Sequence, residues 1–322
     1  MLRRLLLFLC FATLAAGQEL KLPSGIQRST LQRADSSTLL WYSNFVRLDP
    51  KRPLAVWMQG SGYHSLFPER DGRLRSGFLN LISETLGPEV QVLAVEKRGV
   101  TLGVSGTGGA LDAPVEYHEF ATLEDRAADV VAVLDSLQRQ NLLPERVLAI
   151  GHSEGADVAA KVAADHPRVS HLAFLSGGGP SQLFDFMVLI RKSEATARDK
   201  ETEIEELWRS WREIQADPRS VNKMFHGHAY RRWASFMAEA PIDNMKKTRA
   251  KILIVHGSAD TSVPIESADL AAVDLSRAGR AFEYLRLPQA DHSLCTPEQI
   301  ERGVPPLLSL STVLRRFFLD PP

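Results

Sequence analysis

Residues 146–164 read Arg146-Val147-Leu148-Ala149-Ile150-Gly151-His152-Ser153-Glu154-Gly155-Ala156-Asp157-Val158-Ala159-Ala160-Lys161-Val162-Ala163-Ala164. The stretch 146–150 is a short apolar run containing β-branched residues, the mark of a strand buried on both faces. Residues 156–164 are Ala-rich at helical spacing, and side chains so small let a helix approach the strands closely. The Gly-His-Ser-Glu-Gly segment between them leaves room only for a sharp turn. Strand, turn and helix in immediate succession are the building unit of a parallel sheet covered by helices.

The same alternation recurs to either side. Further apolar runs bounded by turn residues lie at 54–58, 90–95, 171–175, 251–255 and 282–287, and residues 38–48 predict an antiparallel pair turning near Ser43-Asn44. Leu123, Ala127, Val130, Val131, Leu134 and Leu137 share one face of a predicted helix, and further helices are predicted at 265–277 and 307–317. The fold class that follows is α/β, a mostly parallel, doubly wound sheet flanked by helices. Residues 181–249 break the pattern. They are dense in charged side chains and hold Trp208, Trp211 and Trp233, three of the five tryptophans. Ile204, Leu207, Trp208, Trp211 and Ile214 recur at helical spacing, so this insertion contains an amphipathic helix lying on something apolar. It is either a helical subdomain packed on the core or a cap over a site at the strand ends.

The 322 residues include 38 basic and 39 acidic side chains, a net charge of −1, which argues against a general electrostatic grip on nucleic acid. With 44% hydrophobic and 24% charged residues the composition is that of a globular chain with a large core. Residues 1–17 have the form of a secretory signal peptide: a basic start, an apolar run over 5–14, and Ala15-Ala16-Gly17 before a cleavage point. Beyond them no run approaches the roughly 18 apolar residues of a membrane span. The expectation is an exported protein, secreted or periplasmic, without stable membrane insertion after cleavage. Cys10 belongs to this leader, which leaves Cys295 unpaired.

A serine hydroxyl becomes a nucleophile when a base takes its proton and a carboxylate orients that base. Glycines two positions either side of Ser153 permit the sharp turn that exposes its oxygen, and the following helix start offers free N–H groups to a developing oxyanion. After run 251–255 comes His256-Gly257-Ser258-Ala259-Asp260, and after run 282–287 comes Gln289-Ala290-Asp291-His292. Ser153, Asp260 and His292 thus each follow the carboxyl end of a strand, where a doubly wound sheet forms its crevice.

This pattern resembles the α/β-hydrolase superfamily, through Gly151-His152-Ser153-Glu154-Gly155, His256-Gly257-Ser258-Ala259-Asp260 with Val263-Pro264, and Asp291-His292, over the chain from about residue 39 onward. The resemblance implies Ser153 as nucleophile, His292 as general base and acid, and Asp260 as the carboxylate that holds the imidazole tautomer. It also implies an oxyanion hole from the Glu154 amide and the amide of Ser61 or, alternatively, Gly62, with Gln59 standing where the family usually has His. Asp291 competes with Asp260 as acid partner, but adjacent residues of an extended stretch point apart, which favours Asp260. No cofactor or metal is required.

Several other motifs carry blander readings. Gly103–Gly109 is a loop without the Lys-Ser or Lys-Thr of a phosphate cradle, and His226-Gly227-His228 is a solvated loop of the insertion rather than a metal site. Arg98 of Glu96-Lys97-Arg98-Gly99 is structural, His64 is incidental, and His152 and His256 point into packing. Glu119, Glu154 or a carboxylate of the insertion is a candidate partner for a substrate amine. The expected function is ester hydrolysis of a small-molecule or peptide substrate through an acyl-enzyme, with peptide or amide hydrolysis on the same trio as the alternative. A reading from another class is a hydrolase-fold binding protein without catalysis.

Overall fold

The computed structural model describes residues 20–320 apart from 34, 76, 107 and 108, so the leader 1–17 with Cys10 lies outside the described residues. In chain order, β1 (Gln27–Gln32), β2 (Thr38–Ser43) and β3 (Leu54–Met58) precede a small hairpin of β4 (Glu69–Arg70) and β5 (Arg73–Leu74). Next come α1 (Gly77–Leu86), β6 (Gln91–Val95), α2 (Val115–Phe120), α3 (Leu123–Arg139), β7 (Val147–His152), α4 (Glu154–Asp165) and β8 (His171–Leu175). The insertion contributes α5 (Gln182–Lys192), α6 (Ala197–Ala216), the hairpin β9 (Met224–Phe225) and β10 (His228–Ala229), α7 (Tyr230–Phe236) and α8 (Pro241–Lys247). The chain then adds β11 (Lys251–Gly257), α9 (Ile265–Arg277), β12 (Glu283–Leu287), α10 (Pro297–Glu301), a 3₁₀ turn Leu308–Leu310 and α11 (Ser311–Leu319).

Eight strands form one sheet in the order β1-β2-β6-β3-β7-β8-β11-β12. Strands β6, β3, β7, β8, β11 and β12 run parallel, while β2 is antiparallel to both neighbours. After β6 the chain returns to the far side of β3, so the carboxyl ends of β3 and β7 border the point where the winding reverses and a crevice opens. Side chains alternate between the two faces. Val56, Met58, Val147 and Ala149 face the layer of α3 and α4, and Ala55, Trp57, Leu148 and Ile150 face that of α1 and α11. Ala156, Ala159, Ala160 and Ala163 of α4 are all buried, which is how this helix lies flat on the sheet.

Three expectations need correction. The antiparallel pair is β1 with β2, and its turn is at Arg33–Ser37, where the Arg33 N–H donates to Ser37 O. At Ser43-Asn44 the chain does not turn back but docks on β6, with Val92 N–H donating to Asn44 Oδ1 at 2.8 Å. The last helix is Ser311–Leu319, because Leu307 adopts a left-handed conformation and the next residues form a 3₁₀ turn. In the insertion, Ile204, Leu207 and Ile214 of α6 are buried, but Trp208 is 38% exposed and lies off the apolar face. That face packs with Leu183, Trp233 and Met237 into a small core separate from those of the sheet. No helix among the described residues is long and apolar enough to cross a membrane.

Candidate active site

The turn after β7 is made possible by missing side chains. A Cβ on Gly151 would lie 2.0 Å from Gly155 O, and one on Gly155 would lie 2.2 Å from Met58 O, so backbones pass where only glycine fits. Between them Ser153 is held at φ 59°, ψ −133°, a conformation disfavoured for a residue with a Cβ and imposed by the strand and helix on either side. Its N–H donates to Leu175 O at 2.9 Å, pinning the turn to β8. The hydroxyl borders a cavity of about 340 Å³ together with Ser61, Glu154 and His292.

Asp260 sits in the loop after β11. Its Oδ1 accepts from the N–H groups of Ser262 and Val263 at 2.8 and 2.9 Å, and its Oδ2 meets His292 Nδ1 at 2.8 Å. The acceptor is a carboxylate, so Nδ1 carries the proton and Nε2 is left with a free lone pair. Burial alone would raise the Asp260 pKa. Hydrogen bonds from His256 and His292 outweigh it and hold the carboxyl well below the usual range. His256 is fully buried and directs Nε2 at Val263 O (2.9 Å) and Asp260 Oδ2 (3.3 Å), so it braces the acid rather than only filling space. Asp291 spends Oδ1 on the N–H and hydroxyl of Ser293 and closes its own turn.

His152 also does more than pack. Its Nε2 donates to the backbone oxygen of His292 at 2.7 Å, and the Ser176 hydroxyl donates to the same oxygen at 3.2 Å. The two fix the loop that presents the imidazole. The signal in the sequence was the histidine's position beside Ser153, which puts it at the sheet rim that the loop of residue 292 must cross.

The loop after β3 lies against the serine. A Cβ on Gly60 would be 3.6 Å from Ser153 Cβ. Gln59 supports this loop by donating from Nε2 to Ser65 O at 3.2 Å, while its own carbonyl accepts from Arg126. Lys97, buried, donates from Nζ to Gly60 O (3.1 Å) and Gly62 O (2.5 Å), and Glu96 accepts from Ser65 Oγ and Leu66 N–H. Burial pushes the Glu96 carboxyl up and the Lys97 ammonium down. Arg98 lies 3.6 Å over the Phe120 ring and bonds Asp129, a structural position as expected. His64 is not among the residues that border the cavity.

Glu154 occupies the first turn of α4 with its carboxylate buried between two guanidiniums, Arg126 of α3 and Arg232 of α7. Burial favours its neutral form, but Arg232 and Arg126 together lower its pKa to about 2. Its charge is therefore already met, and it is no free partner for a substrate amine, as the sequence had allowed. Glu119 is exposed on α2. The carboxylates that do border the cavity with Glu154 are Asp157 and Asp185. Of the expected solvated histidines, His226 is exposed with its ring stacked on Phe186, whereas His228 is buried.

The fold matches solved structures along nearly its whole length. A puromycin-hydrolyzing peptidase of Mycobacterium tuberculosis superposes with TM-score 0.58 at 13% identity, over 92% of this chain and 40% of that one. An acylaminoacyl peptidase of Pyrococcus horikoshii gives 0.56 at 13%, over 91% and 41%. Est1E of Butyrivibrio proteoclasticus gives 0.54 at 17%, over 92% of this chain and 100% of its own. The chain has the α/β-hydrolase fold. It spans about two fifths of the two peptidases and the full length of Est1E. A sequence profile of the prolyl oligopeptidase family matches residues 207–308, from α6 of the insertion through the loop of His292. No curated protein matches by sequence. In this fold the elbow at Ser153, the loop after β3 and the loops carrying Asp260 and His292 all gather at the carboxyl rim of the parallel strands.

Proposed function

We propose that the protein is a serine hydrolase that cleaves a carboxylic ester through an acyl-enzyme. His292 Nε2 takes the Ser153 proton as Oγ attacks the carbonyl carbon. The amides of Ser61 and Glu154 receive the oxyanion, and His292 returns the proton to the departing oxygen. Water, activated by the same imidazole, then releases the acid. Asp260 holds the tautomer throughout. The observation that supports this reading most is the 2.8 Å contact of Asp260 with His292 on the rim of the cavity that Ser153 borders.

A peptide or amide bond is the second reading, favoured by the prolyl oligopeptidase profile over 207–308 and by the likeness to two peptidases. Turnover of p-nitrophenyl butyrate and of alanyl p-nitroanilides, each beside a Ser153→Ala control, separates the two. The ester is expected to turn over with a loss on the order of 10⁶ in the control. Equal rates for both proteins on every substrate contradict hydrolysis at Ser153. Export by way of residues 1–17 belongs to the same proposal, and rests on the amino-acid pattern of that segment.

A further inference from the structure

Four carboxyls and two guanidiniums lie at or just behind the wall of the cavity beside Ser153, and their pairing is lopsided. Glu154 is matched by Arg126 and Arg232, and Asp260 by His292 and His256. Asp157 and Asp185 are not matched. Asp157, one helical turn beyond Ser153 on α4, is 2% exposed; its Oδ2 accepts from Gln182 Nε2 at 3.1 Å and its Oδ1 has no hydrogen-bond partner. Asp185 of α5 is 5% exposed and accepts from the Ser267 hydroxyl on Oδ1. Among the described residues neither has an ion-pair partner. Among the described residues the one guanidinium on the cavity wall is Arg232, which is bound through Nε and Nη2 to Glu154 and Gln182 Oε1, while its Nη1 is buried without a partner.

Leaving an acceptor of this kind buried and unmet is destabilising, and such a group in a folded chain calls for an explanation, of which a ligand is one. The surroundings fit one. Gly178 borders the cavity, and a Cβ there would lie 2.7 Å from Asp185 Oδ2, so its lack of a side chain leaves that carboxyl undisturbed. Phe186, Leu189, Trp233 and Val263 line the remaining wall and provide apolar and aromatic surface against which a cation's carbon stem packs.

Resting on the serine-hydrolase reading of this site, we propose that its substrate carries a cationic nitrogen, an ammonium or guanidinium, that seats at Asp157 and Asp185. Such a group answers the open Oδ1 of Asp157 with an N–H donor and supplies the positive charge that the wall lacks. The surroundings of the two carboxyls act on their ionisation in the same sense. Burial raises the Asp157 carboxyl well above the ordinary range, with Asp185 and Glu154 pushing the same way and Gln182 and Arg232 opposing. Burial raises Asp185 to about 7, opposed by Ser267 and His256 and assisted by Asp260. A cation between them favours the ionised form of both.

The test measures binding without turnover. Ser153→Ala protein is titrated calorimetrically with benzylammonium, benzamidinium and benzyl alcohol at pH 8 and constant ionic strength. At least one cation is expected to bind ten times more tightly than the alcohol, and whichever does so names the nitrogen class. Asp157→Asn and Asp185→Asn, each added to Ser153→Ala, are expected to reduce that preference below threefold. Asn keeps the shape of both side chains and removes a buried charge, so the variants are expected to melt no lower than their parent. Should one fail to fold, the other carries the comparison. Equal binding of alcohol and cations, no binding of either cation, or a preference that survives both substitutions overturns the proposal. Because no nucleophile is present, these outcomes are independent of whether Ser153 attacks, which the ester assay reads separately.

Discussion

Asp260 shows what a single side chain must do at this site. It has four donors around it, the Ser262 and Val263 amides on Oδ1 and the His292 and His256 rings on Oδ2, all in the geometry of a carboxylate. Asp260→Asn keeps the volume and the acceptor for the two amides but turns an NH₂ group toward both rings. His292 must then accept at Nδ1, which puts its proton on Nε2 and removes the base from Ser153. The expected result is a fall in kcat on the order of 10⁴ with KM for p-nitrophenyl butyrate little changed, while a fall below tenfold contradicts the tautomer role. The gathering of Ser153, Asp260 and His292 at one rim was legible because each follows an apolar strand. The helpers were not. His152, Ser176 and His256 act through the backbone oxygens of His292 and Val263 or through Asp260, and such contacts depend on loop paths that residue spacing does not encode.

Among elements, the contact that matters most is between α4, which begins at the serine, and α7 of the insertion, through Glu154 and Arg232. The sequence held little clue to this link, since α4 carries a second buried acid, Asp157, that has no ion-pair partner among the described residues. Replacing one member of a buried pair costs about 3–5 kcal/mol because the other charge is stranded. The Glu154 pKa is lowered from 4.5 to about 2, so its contribution is present above about pH 4.5 and is lost as the pH falls toward 2. Glu154→Gln is therefore expected to be less stable than the parent in urea unfolding near neutral pH, with the gap narrowing steadily below pH 4.5. A gap that stays constant down to pH 2.5 contradicts the ion-pair account. Elements buried on both sides, such as β3, β7 and β8, were read correctly from their apolar runs. The edge strand β1, Gln-Arg-Ser-Thr-Leu-Gln, was missed because one half-exposed face leaves it almost wholly polar.

At the scale of the molecule, the reversal of winding between β3 and β7 brings the loop of Ser61 beside Ser153, and the later strands deliver Asp260 and His292 to the same rim. The insertion closes one side with its own small core and lends Asp185, Phe186, Leu189, Arg232 and Trp233 to the cavity. Its presence was legible as a break in alternation. Its contribution to the cavity was not, since Asp157 and Asp185 reach one wall only once Gln182 of α5 is hydrogen-bonded to Asp157 of α4. The central claim is that Ser153 is made nucleophilic by His292. It is tested most directly by treating the protein with a fluorophosphonate and locating the adduct by peptide mass spectrometry, in parallel with His292→Ala. The account predicts a single adduct on Ser153 that forms at least about 10³ times more slowly in the variant. An adduct elsewhere, none at all, or equal rates in the two proteins would contradict it.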